Sequence, residues 1–106
     1  MIYVVGTESC WLKGSRQPFI KIGTTIDLRQ RMAKMQTDNP QELKVHYLFN
    51  GGADREAELH AMLHHFHYRA EWFRTWVGQE PIKPWIEGEW FQGDKDLIVL
   101  NRGVIS

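Results

Sequence analysis

From Phe19 to Arg31 the chain reads Phe-Ile-Lys-Ile-Gly-Thr-Thr-Ile-Asp-Leu-Arg-Gln-Arg. On a period of two, Phe19 and Lys21 share one face and Ile20 and Ile22 the other, which predicts a short strand. Gly23 breaks it, and a helix follows from near Thr25 or Asp27, both good N-cap types, to about Gln36. Leu28, Met32 and Met35 recur at i, i+4 and i+7 as its buried stripe. Arg31 falls about 60° from Leu28 and about 40° from Met35 around the helix. That puts Arg31 on the margin of the apolar stripe rather than on the solvent side, while Arg29 points away. A strand feeding a helix in this way holds Lys21 and Arg31 at one end of one unit. Two cations so held suit an anionic ligand, of which phosphate is the commonest.

The flanking segments fill in the order. Ile2-Tyr3-Val4-Val5 is rich in β-formers and ends at Gly6, so a first strand precedes the unit, with residues 7–18 as a loop. Neighbouring strands joined by a loop usually pair antiparallel. After the Asn39-Pro40 turn signal, Leu43 to Phe49 reads as a third strand, closed by Asn50-Gly51-Gly52. A second helix is expected from an Asp54 N-cap to about His67, with Leu59, Met62, Leu63 and Phe66 as its stripe. Glu56, His60, His64 and His67 would lie along one flank of it. Residues 74–96 carry no clear local pattern, and Leu97 to Leu100 reads as a last strand or short helix. The expected fold is a single α+β domain over residues 1–106. Its core is a small antiparallel three-stranded sheet flanked by helices, in the order β-β-α-β-α, with a mixed tail.

Composition narrows the partners. Thirteen basic and thirteen acidic residues cancel, so no general basic field favours nucleic acid, and such contact must come from a local patch. The single Cys10 forms no internal disulfide, which fits a reducing compartment. No signal-peptide pattern and no long apolar span is visible, so the expected home is the cytoplasm, away from any membrane.

Five short motifs stand in order: Ile2-Tyr3-Val4, Lys21-Ile22-Gly23, Arg31 eight residues after Gly23, Glu56-Ala57-Glu58-Leu59-His60, and Glu71-Trp72-Phe73. In these the chain resembles the GIY-YIG nuclease superfamily, and more closely its T5orf172 branch, over roughly residues 1–73. The resemblance implies a divalent-metal-dependent endonuclease that hydrolyses phosphodiester bonds, with DNA as the expected nucleic acid and Mg²⁺ or Mn²⁺ as cofactor. Glu56 would hold the metal, and a carboxylate-bound Mg²⁺ usually keeps several waters. Arg31 would hold phosphoryl oxygens with its planar fork. Tyr3, Lys21 or His60 would position or deprotonate the attacking water. Ile22 and Gly23 would be structural, Gly23 by allowing a backbone break. Three features depart from the superfamily pattern. Met1 stands where the first motif has glycine, Lys21 where tyrosine is common, and Met35 where many members carry His or Tyr. The motif Glu-Trp-Phe also recurs at Glu89-Trp90-Phe91, but spacing from His60 favours the first copy.

Each residue also has a plainer reading. Glu56 near a helix N-terminus is favoured by the helix dipole alone. Arg31 could pair with a carboxylate, Lys21 could be an edge residue, Tyr3 a core-edge aromatic whose hydroxyl reaches water, and His60 a surface group. Three other functions compete with the nuclease. His60, His64 and His67 with Glu56 could form a zinc site, although His60-Ala61-Met62-Leu63-His64 lacks the glutamate of a zinc protease helix. The same fold could be a nucleic-acid-binding module with weak or no catalysis. A thiol enzyme using Cys10 and His46 has no supporting spacing.

Overall fold

The computed structural model describes residues 1–90 and 97–100, and it is built around β1, Ile2–Gly6. The eight described strands are β1, β2 (Phe19–Thr24), β3 (Lys44–Phe49), β4 (His67–Arg69), β5 (Trp72–Arg74), β6 (Trp76–Val77), β7 (Glu80–Pro81) and β8 (Leu97–Leu100). The helices are α1 (Leu28–Thr37), α2 (Ala53–Met62) and α3 (Lys83–Trp90), and a 3-10 turn spans His64–Phe66. Six strands form one antiparallel sheet in the order β4-β5-β2-β1-β3-β8, and β6 and β7 make a separate two-stranded ribbon.

Every residue of β1 is buried because both of its faces are covered. Ile2 and Val4 join Ile20, Ile22, Tyr47 and Phe49 on the face packed by Leu59, Leu63, Phe66, Ile82 and Ile86. Tyr3 and Val5 join Val45 and Leu48 on the other face, under Leu28 and Met35 of α1 with Met32 at its edge. The α1 stripe therefore packs as its spacing predicts. Its N-cap is Asp27, whose side chain accepts from the Gln30 amide at 3.0 Å, and the Thr25 hydroxyl accepts from the Asp27 amide.

Several expectations need correction. The expected three strands do pair as β2-β1-β3, but β4 and β5 extend the sheet beside β2, because the segment after α2 turns back along it instead of continuing helically. Leu97–Leu100, expected as a strand or short helix, is a strand paired with β3. Helix α2 stops at Met62, not near His67, and starts behind Gly52 rather than at an Asp54 N-cap. Leu63 and Phe66 are still buried, held by the 3-10 turn instead of the helix. Gly23 lies inside β2 and breaks nothing. Arg31 is exposed on α1 rather than tucked against its apolar edge. Among the described residues no helix is long and apolar enough to cross a membrane.

Candidate active site

In the β1–β2 ladder Tyr3 stands directly opposite Gly23. A Cβ at Gly23 would sit 2.7 Å from Tyr3 Cζ, closer still to its hydroxyl, and 3.0 Å from Glu71 Oε1. The missing side chain is therefore space already taken, by a phenol from β1 and a carboxylate from the β4–β5 hairpin. Glu71 reaches this point because the Ala70-Glu71 turn folds tightly, with Ala70 in the left-handed region at φ 49°, and the Glu71 carbonyl accepts from the Ile22 amide at 3.0 Å.

Tyr3 is 1% exposed, so its hydroxyl does not reach bulk water as a core-edge aromatic would. Its phenol is pushed up to about 12, chiefly by burial; the charge of Glu71 raises it further, Arg31 lowers it, and Glu56 raises it. Tyr3 thus remains neutral at ordinary pH, and the charges of Glu71, Arg31 and Glu56 all reach its phenol. Lys21, on the same face of β2, places its Nζ 4.0 Å from Glu71 Oε1 and 5.9 Å from the Trp72 ring centre. A carboxylate partner suits this lysine to holding charge. The exposed Arg31 guanidinium has no ion-pair partner among the described residues.

Glu56 and His60 approach from α2, one helical turn apart. Glu56 lies in the first turn, and its Oε2 is fully buried with no hydrogen-bond partner among the described residues. Leaving such a group unmade costs about 1–3 kcal/mol, and more for a charged one, so the position asks for a ligand. His60 Nε2 lies 3.0 Å from the Ile22 carbonyl, which can only accept, so Nε2 carries the proton. With the ring also edge-on to Phe73 at 4.9 Å, His60 ties α2 to β2 beside Gly23.

The divalent cation implied by the sequence motifs fits what is here. A buried carboxylate oxygen lacking a partner is a hard anionic donor of the kind Mg²⁺ or Mn²⁺ takes. No group of three His, Cys, Asp or Glu side chains converges among the described residues, so the protein alone supplies few ligands. Mg²⁺ is commonly held in that way, by one or two carboxylates with water and substrate oxygens completing the shell.

The predicted histidine row does not form. With α2 ending at Met62, His60 bonds Ile22 and His67 Nε2 donates to the Ala70 carbonyl at 2.8 Å. The His64 and His67 rings stack at 6.5 Å, but among the described residues no three of these groups converge as metal ligands. Conversely, Cys10 and His46 do meet. A bulge in β3 between the partners of Val4 and Val5 turns His46 toward the 7–18 loop, with Nε2 3.5 Å from Cys10 Sγ and 3.0 Å from the Thr7 carbonyl. Trp11 Nε1 donates to His46 Nδ1 at 3.1 Å. Burial pushes the Cys10 thiol up to about 12 and holds His46 below its usual value. A buried neutral thiol beside a neutral imidazole is packing, not a nucleophile.

Glu71 is the residue that motif reading left without a role. Its signal was present in Glu71-Trp72-Phe73, but only the hairpin brings its carboxylate under Tyr3. The sequence profile of the T5orf172 domain matches residues 1–102. No curated protein and no solved structure matches the chain.

Proposed function

The chain belongs to the T5orf172 domain family, and from that membership and the site geometry we propose that it is a metal-dependent endonuclease cleaving phosphodiester bonds in DNA. The observation that carries the reading is the buried Glu56 Oε2, without a hydrogen-bond partner among the described residues, whose charge reaches the Tyr3 phenol that meets Glu71 over Gly23. Family membership supports nuclease-related chemistry, and the residues give it a workable division of labour.

Glu56 is the residue that would hold Mg²⁺ or Mn²⁺, which when bound supplies charge neutralisation on the phosphate and stabilisation of the leaving oxygen. Arg31, without an ion-pair partner among the described residues, clamps phosphoryl oxygens, for which its planar fork is suited. The neutral Tyr3 phenol, buried below the site, acts as a positioning residue beside Glu71 rather than by contact with the attacking water. Glu71 is the carboxylate beside that phenol, so it is placed to take the water's proton, while Lys21 steadies its charge. His60 acts as a positioning residue through its bond to Ile22. Gly23 keeps the floor of the site clear.

A panel of duplex, branched and single-stranded DNA incubated with Mg²⁺ or Mn²⁺ tests this, alongside Glu56→Ala and Arg31→Ala. Each substitution is expected to lower cleavage by about a hundredfold or more, the size of losing one group aimed at the transition state. Cleavage that survives both would remove these residues from the site. A folded chain that cleaves no form of DNA would leave a binding module instead.

A further inference from the structure

Helix α1 covers only part of its side of the sheet. Its apolar cluster draws on Tyr3 and Val5 of β1 and Val45 and Leu48 of β3, and includes no residue of β2, β5 or β4. On that uncovered half the ladder sets Phe19 opposite Arg74 and Lys21 opposite Trp72, with Arg69 next in line on the edge strand. Tyr68 completes the surface, its ring centre 4.9 Å from Phe19 and 5.0 Å from the Arg74 guanidinium. Tyr68, Arg69 and Arg74 are exposed, and Phe19, Lys21 and Trp72 are half-buried. Three rings thus alternate with three cations. The strip is continuous with the candidate site, because Lys21 and Gly23 share one face of β2 and Lys21 reaches Glu71. Glu71 is the carboxylate on this strip, paired with Lys21.

We propose that this uncovered sheet face is a stacking platform for a single-stranded nucleic-acid segment, which it feeds toward Tyr3 and Glu71. The inference rests on the nuclease reading for the direction of the strand, not for the binding itself. Charge complementarity identifies the occupant. The whole chain is electrically balanced, yet this strip sets Lys21, Arg69 and Arg74 against the one carboxylate of Glu71, leaving Arg69 and Arg74 to face a polyanion. Phosphates alone would need no rings; an exposed Tyr68 ring flanked by the half-buried Phe19 and Trp72 and by cations matches a backbone whose bases are free to stack. In a duplex those base faces are already stacked on one another, so it can use only the cations. Bases stack on aromatic side chains with little sequence preference, which gives a platform for form rather than for sequence.

The test is fluorescence anisotropy of the wild-type chain in EDTA, which prevents cleavage, against labelled oligothymidylate, oligouridylate and a duplex of equal length. Both single strands are expected to bind about tenfold more tightly than the duplex, and their difference reports any preference for the 2′-hydroxyl. Tyr68→Ala should weaken single-strand binding about tenfold, the size of one lost base stack, and duplex binding less than about twofold. Tyr68→Phe should keep the wild-type affinity, and an unchanged melting temperature shows that the exposed substitution leaves the fold intact. Equal affinity for single strand and duplex, or no effect of Tyr68→Ala, would overturn the proposal. Cleavage is scored separately with metal added. The expected binding pattern without cleavage of any form sinks the nuclease reading and upholds the platform. Cleavage dependent on Glu56, confined to duplex and indifferent to Tyr68, does the reverse.

Discussion

Two polar clusters lie toward the two ends of β1, and they are finished differently. Around Gly6, His46 is closed off: Nδ1 accepts from Trp11, Nε2 donates to the Thr7 carbonyl, and Cys10 packs alongside. Thr75 adds a bond from its hydroxyl to the Cys10 carbonyl at 2.7 Å. Among the described residues the one buried orphan there is the neutral Thr7 hydroxyl. Around Tyr3 the cluster is left open: among the described residues a buried carboxylate oxygen of Glu56 has no hydrogen-bond partner and Arg31 no ion pair. A neutral group without a partner costs little beside a charged one. The first cluster is therefore a joint that fastens the 7–18 loop and Thr75 to β3. The second holds unspent bonding capacity, as a site that must take a ligand does.

The contrast can be broken by substitutions that should act on one cluster and not the other. Gly23→Ala is expected to have the largest effect, since its Cβ would meet Tyr3 Cζ at 2.7 Å on the best-buried strand. It should cost about 1–3 kcal/mol of stability, as overpacking does, and lower cleavage at least tenfold per folded molecule. Chemical denaturation beside a cleavage assay measures both. His46→Leu should cost about 2 kcal/mol by stranding the Trp11 indole N–H and the Thr7 carbonyl, with cleavage per folded molecule unchanged. It also carries a pH signature. The folded-state value of His46 is lowered by burial, so the unfolded chain binds its proton more readily. The stability of the neutral ring is fully present above about pH 6.5 and is lost as pH falls below that toward the folded-state value. Denaturation midpoints should therefore fall on mild acidification in the wild type, and fall less in His46→Leu. The smallest effect is expected of Ala70→Gly, which relieves the left-handed turn at φ 49°. A gain of about 0.5–1 kcal/mol should follow, with cleavage retained because the Glu71 backbone keeps its bond to Ile22.

The open cluster was partly legible in the sequence because its parts sit on elements with strong local signals. Leu28, Met32 and Met35 mark α1 by their spacing, Asp27 caps it, and a run of β-formers marks β1. What could not be read depended on contacts distant in the chain. The bulge that turns His46 toward Cys10 is a property of the β1–β3 register, and no local spacing announces it. The β4–β5 hairpin turns at Ala70-Glu71 without the glycine or asparagine that usually signals such a turn, so Glu71 could not be placed. Helix α3 lies in the stretch that carries no clear local pattern in the sequence and contains Pro84 and Gly88; Pro84 is tolerated because it lies in the first turn, where no helical N–H bond is lost. Gly23 was read for its backbone freedom, but what the fold uses is its lack of volume. The recurrence at Glu89-Trp90-Phe91 extends to Phe91, which lies outside the described residues, whereas the Glu71 copy is the one beside Tyr3.

The central claim is that Glu56 is held for a ligand and not for the fold, and Glu56→Gln separates the two most directly. Its thermal melting temperature in EDTA and its Mn²⁺-dependent cleavage are measured on the same preparation as the wild type. An orphaned buried carboxylate contributes no stability, so the account predicts an equal or higher melting temperature together with a loss of cleavage of about a hundredfold or more. A melting temperature several degrees lower, with cleavage per folded molecule unchanged, would contradict it.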